Sequence, residues 1–118
     1  MTWRYEQSTG KLWRLAGTGY SGRDEAKNQP DLDAVKSRGP IPRGKWVITE
    51  KFDSPRRGPL CLRLEPARGT DTHGRSAFLI HGDSKSQPGT ASEGCIILPP
   101  TVRAAIWASN DRDLEVVP

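Results

Sequence analysis

No stretch of this chain stays apolar for the ~18 residues that a membrane-spanning helix needs. The first apolar segment is broken by Arg4, Glu6, Lys11 and Arg14, so the apolar centre of an export signal is missing as well. If the protein works outside the cytoplasm, something other than a standard signal is expected to carry it there. Aromatic residues are few, at 7%, and the excess of 18 Lys and Arg over 14 Asp and Glu is scattered in pairs such as Arg56-Arg57. A nucleic-acid binder would show a basic stripe with interleaved aromatics. The balance of +4 instead reads as a solvated, mildly basic surface that would favour an anionic polymer such as a cell wall.

Cysteine and histidine are nearly absent: Cys61, Cys95, His73 and His81 are all there are. Structural zinc uses close pairs such as C-x2-C or H-x3-H. Here the intervals in chain order are 12, 8 and 14 positions, so neither a metal site nor a cofactor is expected. A Cys61–Cys95 disulfide is disfavoured, because a chain without an export signal matures among reducing thiols. The surroundings of the two cysteines also differ, with Cys61 alternating among Leu60, Leu62 and Leu64 as an ordinary strand residue.

Internal repeats and low-complexity segments are missing too. Turn chemistry is plentiful, with 12 Gly and 10 Pro against 34% apolar residues, which suits short strands joined by tight turns. At 118 residues there is room for one core, so residues 1–118 read as a single, mainly β domain. Thr2 to Leu15 reads as a hairpin around Ser8-Thr9-Gly10. From Ala16 to Pro42 the pattern dissolves into turn residues, with at most a helical turn around Asp31 to Val35; a loop of that length is functional or flexible. Strands are expected over Lys45 to Phe52, with Trp46, Ile48 and Phe52 on one face, and over Leu60 to Glu65, with the leucines on one face. Ala77 to His81, Ser92 to Leu98 and Asp113 to Val117 read as further strands. Pro99-Pro100-Thr101 leads into a short helix ending near Ala108.

The chemistry concentrates in one region. Ala77-Phe78-Leu79-Ile80-His81-Gly82 is a strand ending in histidine, and 14 positions after His81 comes Cys95 within Ser92-Glu93-Gly94-Cys95-Ile96. A thiol near pKa ~8.5 is only a few per cent ionised at neutral pH, so an imidazole within hydrogen-bond reach is its usual activator. Gly94 permits an unusual backbone and a close approach of N–H groups to a carbonyl oxygen, as an oxyanion hole requires. Ser92 could donate to a substrate or brace the turn. The plain alternative is a Gly turn entering a buried strand, with Cys95 a small hydrophobe and His81 a satisfied core residue.

Taken with Gly19-Tyr20-Ser21-Gly22, Asn28-Gln29-Pro30 and Gly39-Pro40-Ile41-Pro42-Arg43-Gly44, these segments resemble the L,D-transpeptidase-like toxins that bacteria deliver by type VI secretion, over nearly the whole chain from Trp3 to Val117. The central part is also similar to the wider L,D-transpeptidase family. The resemblance implies a mainly β, L,D-transpeptidase-like β-sandwich with one short helix near the C-terminus. It implies attack by a cysteine on a peptidoglycan stem peptide, between a diaminopimelate L-centre and D-alanine, followed by hydrolysis or D-amino acid exchange. On that basis Cys95 is the nucleophile, His81 the base and the Gly82 carbonyl the orienting group, with the Gly94 and Cys95 N–H groups as oxyanion donors. Candidate substrate contacts are Ser92, Arg75 and Tyr20. Glu93 stands where the wider family has histidine and opposes thiolate formation by its charge. Ile97 stands where that family often has arginine, which leaves Arg75 as a replacement for binding the substrate carboxylate. An immunity protein, a secretion component and delivery to the periplasm of a target bacterium are implied too.

Two other readings compete. A papain-like amidase would pair Cys61 with His73 or His81, although Cys61 lacks the helix N-terminus such nucleophiles use. A non-catalytic wall-binding module would present Tyr20, Trp3 and Trp13 to sugars.

Overall fold

The computed structural model describes residues 2–14 and 17–118; Leu15, expected to end the first hairpin, and Ala16, expected to open the long loop, lie outside the described residues. The strands are β1 (Trp3–Glu6), β2 (Lys11–Trp13), β3 (Gly17–Thr18), β4 (Tyr20–Ser21), β5 (Gly44–Ser54), β6 (Gly58–Pro66), β7 (Phe78–His81), β8 (Ile96–Ile97) and β9 (Asp113–Val117), with the helix α1 (Pro100–Ala108) before β9. The expected mainly β fold with one short helix near the C-terminus is what forms.

All nine strands among the described residues belong to one sheet, in the order β3-β2-β1-β9-β5-β6-β7-β8-β4. Its two edges, β3 and β4, are consecutive in the chain and separated only by Gly19. The sheet therefore curls until its edges nearly meet, which gives the expected sandwich-like architecture as a nearly closed, barrel-like sheet. Three backbones converge at the seam. Gly19 donates its N–H to the Gly10 carbonyl at 2.8 Å. A Cβ on Gly19 would lie 1.5 Å from the Ile97 carbonyl oxygen, and one on Gly10 1.9 Å from that of Gly19.

Alternation along the strands builds the interior. Trp3, Tyr5, Leu12, Trp46, Ile48, Leu62, Leu64, Phe78, Ile80, Ile96, Leu114 and Val116 pack together, with Val102 and Ile106 of α1. Trp46 meets Phe78 edge-on, with ring centroids 5.1 Å apart. In β9, Leu114 and Val116 face in from a strand held between β1, which it joins in parallel, and β5.

Several expectations are corrected in detail. The segment after Ala16 holds β3, β4 and two 3-10 turns, at Asp24–Ala26 and Pro30–Leu32. Strands of two residues have no alternation to read, and Pro30 starts the helical turn one residue before the expected Asp31. Leu60 has φ of +57°, which breaks the leucine alternation, so Cys61 and Leu62 are both buried while Leu60 is only partly so. Register shifts in the β5–β6 pair fall after Ile48 and after Phe52, and Phe52 is half-buried. Of the strand expected over Ser92 to Leu98 only Ile96–Ile97 pairs, because Ser92 to Cys95 close on themselves in a turn.

Candidate active site

β8 lies parallel to β7, with Ile80 beside Ile96 and His81 beside Ile97. One step earlier, Cys95 stands level with Leu79, whose N–H reaches the thiol. Because Phe78, Ile80 and Ile96 enter the core, alternation turns Leu79, His81 and Cys95 to the other face. Cys61 also turns away from the core residue Leu62.

His81 is 1% exposed. Its Nδ1 and the Gly82 carbonyl oxygen are 2.8 Å apart, and its Nε2 is buried with no hydrogen-bond partner. A carbonyl can only accept, so Nδ1 carries the proton and Nε2 presents a lone pair. Burial lowers the imidazole pKa below its ordinary value; the Gly82 bond works the other way, and the charges of Arg57 and Arg103 add to the lowering. The resting ring is thus neutral at pH 7.

Cys95 is 8% exposed and its thiol leans toward the Ala77 carbonyl at 3.9 Å. Burial pushes the thiol pKa up; the Leu79 N–H and Arg57 pull it down, and Cys61 and Glu93 push it up again. Neither sulfur forms a hydrogen bond with His81 Nε2, and both cysteines are free.

The turn carrying the thiol is tied down at each residue. Ser92 Oγ accepts from Gly22 N–H at 2.9 Å and Gly94 N–H at 3.1 Å, and donates to the Cys95 carbonyl at 2.6 Å. Its one proton is committed, so here Ser92 braces the turn. The Gly94 N–H, one of the two implied oxyanion donors, is engaged by that same hydroxyl. Ser21 Oγ donates to the Gly94 carbonyl at 3.0 Å and accepts Ile41 N–H at 2.8 Å. Gly94 has φ of +141°, and a Cβ there would sit 2.5 Å from Arg75 Nη2. Both the conformation and the space demand glycine.

Arg75 is buried, its guanidinium over the Phe78 ring. Nη1 donates to the Asp33 and Pro40 carbonyls, and Nη2 to those of Gly39 at 2.9 Å and Glu93 at 3.3 Å. It knits the 33–40 segment to the thiol's turn. Tyr20 does comparable work: its hydroxyl donates to Asp83 Oδ1 at 2.6 Å and accepts Ala91 N–H at 2.9 Å, which pins the loop between His81 and Cys95. Sequence reasoning did not find Arg103, whose Nε donates to the Leu98 carbonyl at 3.0 Å and Nη1 to those of Pro59 and Leu60, both at 2.8 Å. A lone arginine in an amphipathic helix carries no sign of that role.

Two recesses flank the site. One of about 210 Å³ opens on Cys95, and another of about 320 Å³ opens on His81 and Gly82. Arg57 and Glu93 line both. His73 stands in a loop, its N–H donating to Asp71 Oδ1 at 2.8 Å, and lines neither recess. Cys61 is buried within β6 and not at a helix N-terminus, the placement a papain-like nucleophile would need. Trp3 is buried, leaving Trp13, 50% exposed, without Trp3 as a companion in a sugar-stacking surface.

No helix among the described residues is long and apolar enough to cross a membrane. No curated protein matches the chain at a significant level. Residues 16–117 do match the sequence model of the Tlde1 domain, and with that match over most of its length the chain belongs to the Tlde1 family of type VI secretion effectors.

Proposed function

We propose that this effector is a cysteine-dependent L,D-carboxypeptidase and L,D-transpeptidase acting on peptidoglycan stem tetrapeptides in the periplasm of a target bacterium, with Cys95 as nucleophile and His81 as base. The observation that carries the reading is the orphaned Nε2 of a buried imidazole whose other nitrogen is bound to the Gly82 carbonyl, on the strand beside Cys95. A buried polar atom without a partner is costly, and a base awaiting a proton is a reason to retain one.

Because the thiol is raised and the imidazole lowered, the resting pair is neutral, and proton transfer accompanies attack. The thiol turns from the Ala77 carbonyl to Nε2. Sγ then bonds to the carbonyl carbon of the diaminopimelate L-centre as its proton passes to His81, with the Cys95 and Gly94 N–H groups as oxyanion donors, the latter released from Ser92. Collapse breaks the C–N bond, and His81 returns the proton to the departing D-alanine amine. Water attacks the thioester to give the free acid, or a D-amino acid amine attacks to give exchange; His81 takes the attacking group's proton, the C–S bond breaks, and the proton passes to the departing Cys95 thiolate, which restores the neutral pair. No cofactor enters. A cognate immunity protein and a secretion component belong to the same reading.

The test is to incubate wild type, Cys95→Ala, His81→Ala and Cys61→Ala with tetrapeptide muropeptides and weigh the products. The first two variants should lose turnover by at least ~10³-fold while keeping the wild-type circular dichroism spectrum, and Cys61→Ala should stay active. Turnover that survives in Cys95→Ala refutes the assignment.

A further inference from the structure

Arg57 sits at the tip of the β5–β6 hairpin, in a turn fixed from within. Ser54 Oγ accepts the N–H groups of Arg56 at 3.2 Å and Arg57 at 3.0 Å, and Asp53 Oδ1 accepts that of Leu60 at 3.0 Å. From there its side chain forms part of the wall of both the Cys95 and the His81 recess. Its charge bears on the thiol and the imidazole alike.

Three of the other arginines around the site are engaged, and Arg56, exposed, lines the His81 recess but not that of Cys95. Arg75 and Arg103 are committed to backbone carbonyls, and Arg23 reaches Glu93 at 3.3 Å. Arg57 makes one long bond, Nη1 to the Ala91 carbonyl at 3.4 Å. Among the described residues no carboxylate stands within ion-pair distance of it. A half-buried guanidinium on the wall of a reactive recess, without an anion of its own, is a subsite for one from outside. Lys36 also lines the Cys95 recess, but its ammonium is a point charge, whereas the guanidinium fork matches the two oxygens of a carboxylate.

Resting on the assignment of Cys95 as nucleophile, we propose that Arg57 sets the specificity of this site by binding the free α-carboxylate of the stem peptide's last residue. That carboxylate is one residue beyond the scissile amide, so a cation beside the thiol is at the right remove. The subsite selects chain ends over internal amides. It also serves exchange, because an incoming D-amino acid carries the same group in the same place.

The experiment uses Cys95→Ala protein, which binds without turning over, and compares by calorimetry a tetrapeptide acid with its C-terminal carboxamide. The acid should bind ~10- to 100-fold more tightly, as a charge-assisted pair provides. Arg57→Gln in that background should erase the difference, and Arg57→Lys should restore part of it. In wild type the carboxamide should be turned over poorly, with the loss chiefly in KM. Equal affinity for acid and amide, or a preference that persists in Arg57→Gln and vanishes in Lys36→Gln, overturns the proposal. The arms separate its fate from that of the catalytic reading: an Arg57-dependent preference in a wild type without turnover leaves the subsite and removes the chemistry. Cys95-dependent turnover blind to the carboxylate does the reverse.

Discussion

Replacing Ser92 by alanine removes one buried oxygen and three hydrogen bonds, from Gly22 N–H, from Gly94 N–H and to the Cys95 carbonyl. At about 1 kcal/mol net for each, and with the abandoned groups too buried to find water readily, the loss should come to about 2–4 kcal/mol. For a chain of this size about 4 °C of Tm accompanies each kcal/mol, so thermal unfolding followed by circular dichroism should show a fall of about 8–16 °C. Turnover should also drop, ~10- to 100-fold, because the thiol's turn loses its brace to the β4 end. The split between stability and activity is what decides. A Ser92→Ala protein as stable as wild type within ~0.5 kcal/mol, yet with a raised KM, would refute the brace and return Ser92 to the substrate.

Gly19→Ala forces a Cβ to within 1.5 Å of the Ile97 carbonyl, so the seam must open; chemical denaturation should show a loss of at least ~3 kcal/mol, and a soluble variant of unchanged midpoint would contradict the closure. Burial raises the Cys95 thiol, so alkylation of Cys95 by iodoacetamide should be slow at pH 7 and climb only at alkaline pH; a fast, flat rate between pH 5 and 8 would instead reveal a preformed thiolate–imidazolium pair. His81 is lowered in the fold, so the unfolded chain binds the proton more readily, and the contribution is present above the unfolded pKa of about 6.5 and lost as pH falls from there through the folded value. The urea midpoint of wild type should therefore decline between pH 7 and 5 more than that of His81→Gln.

The candidate pair was legible because each half is a local pattern: an apolar strand closing on His81-Gly82, and a glycine before Cys95. Trp46, Ile48, Leu62 and Leu64 were legible for the same reason, since alternation is written in the sequence itself. The clamps around the thiol were not. Ser21 to Gly94 and Gly22 to Ser92 are bonds between segments 73 and 70 positions apart, and nothing in either segment names the other. Ser92 to Cys95 looked like the start of a strand because their residue types tolerate extension; the turn wins through Ser92 Oγ, a choice made by one side chain. In sequence Arg75 is the candidate for the substrate carboxylate and Arg57 one of a scattered basic pair. Only the fold gives one of them four carbonyls and leaves the other without an anion.

β9 enters the sheet between β1 and β5, yet it is the last strand in order. Assembly therefore has no N-terminal intermediate that could rest as a finished half: until Asp113 to Val117 arrive, β1 and β5 present open ladders to solvent. Contacts of such sequence separation form slowly, and bare strand edges invite pairing with other chains. Each polypeptide that loses its shape in transit must recover this insertion before the recesses beside Cys95 and His81 exist. Clipping β9 should thus yield aggregation instead of a weakened effector.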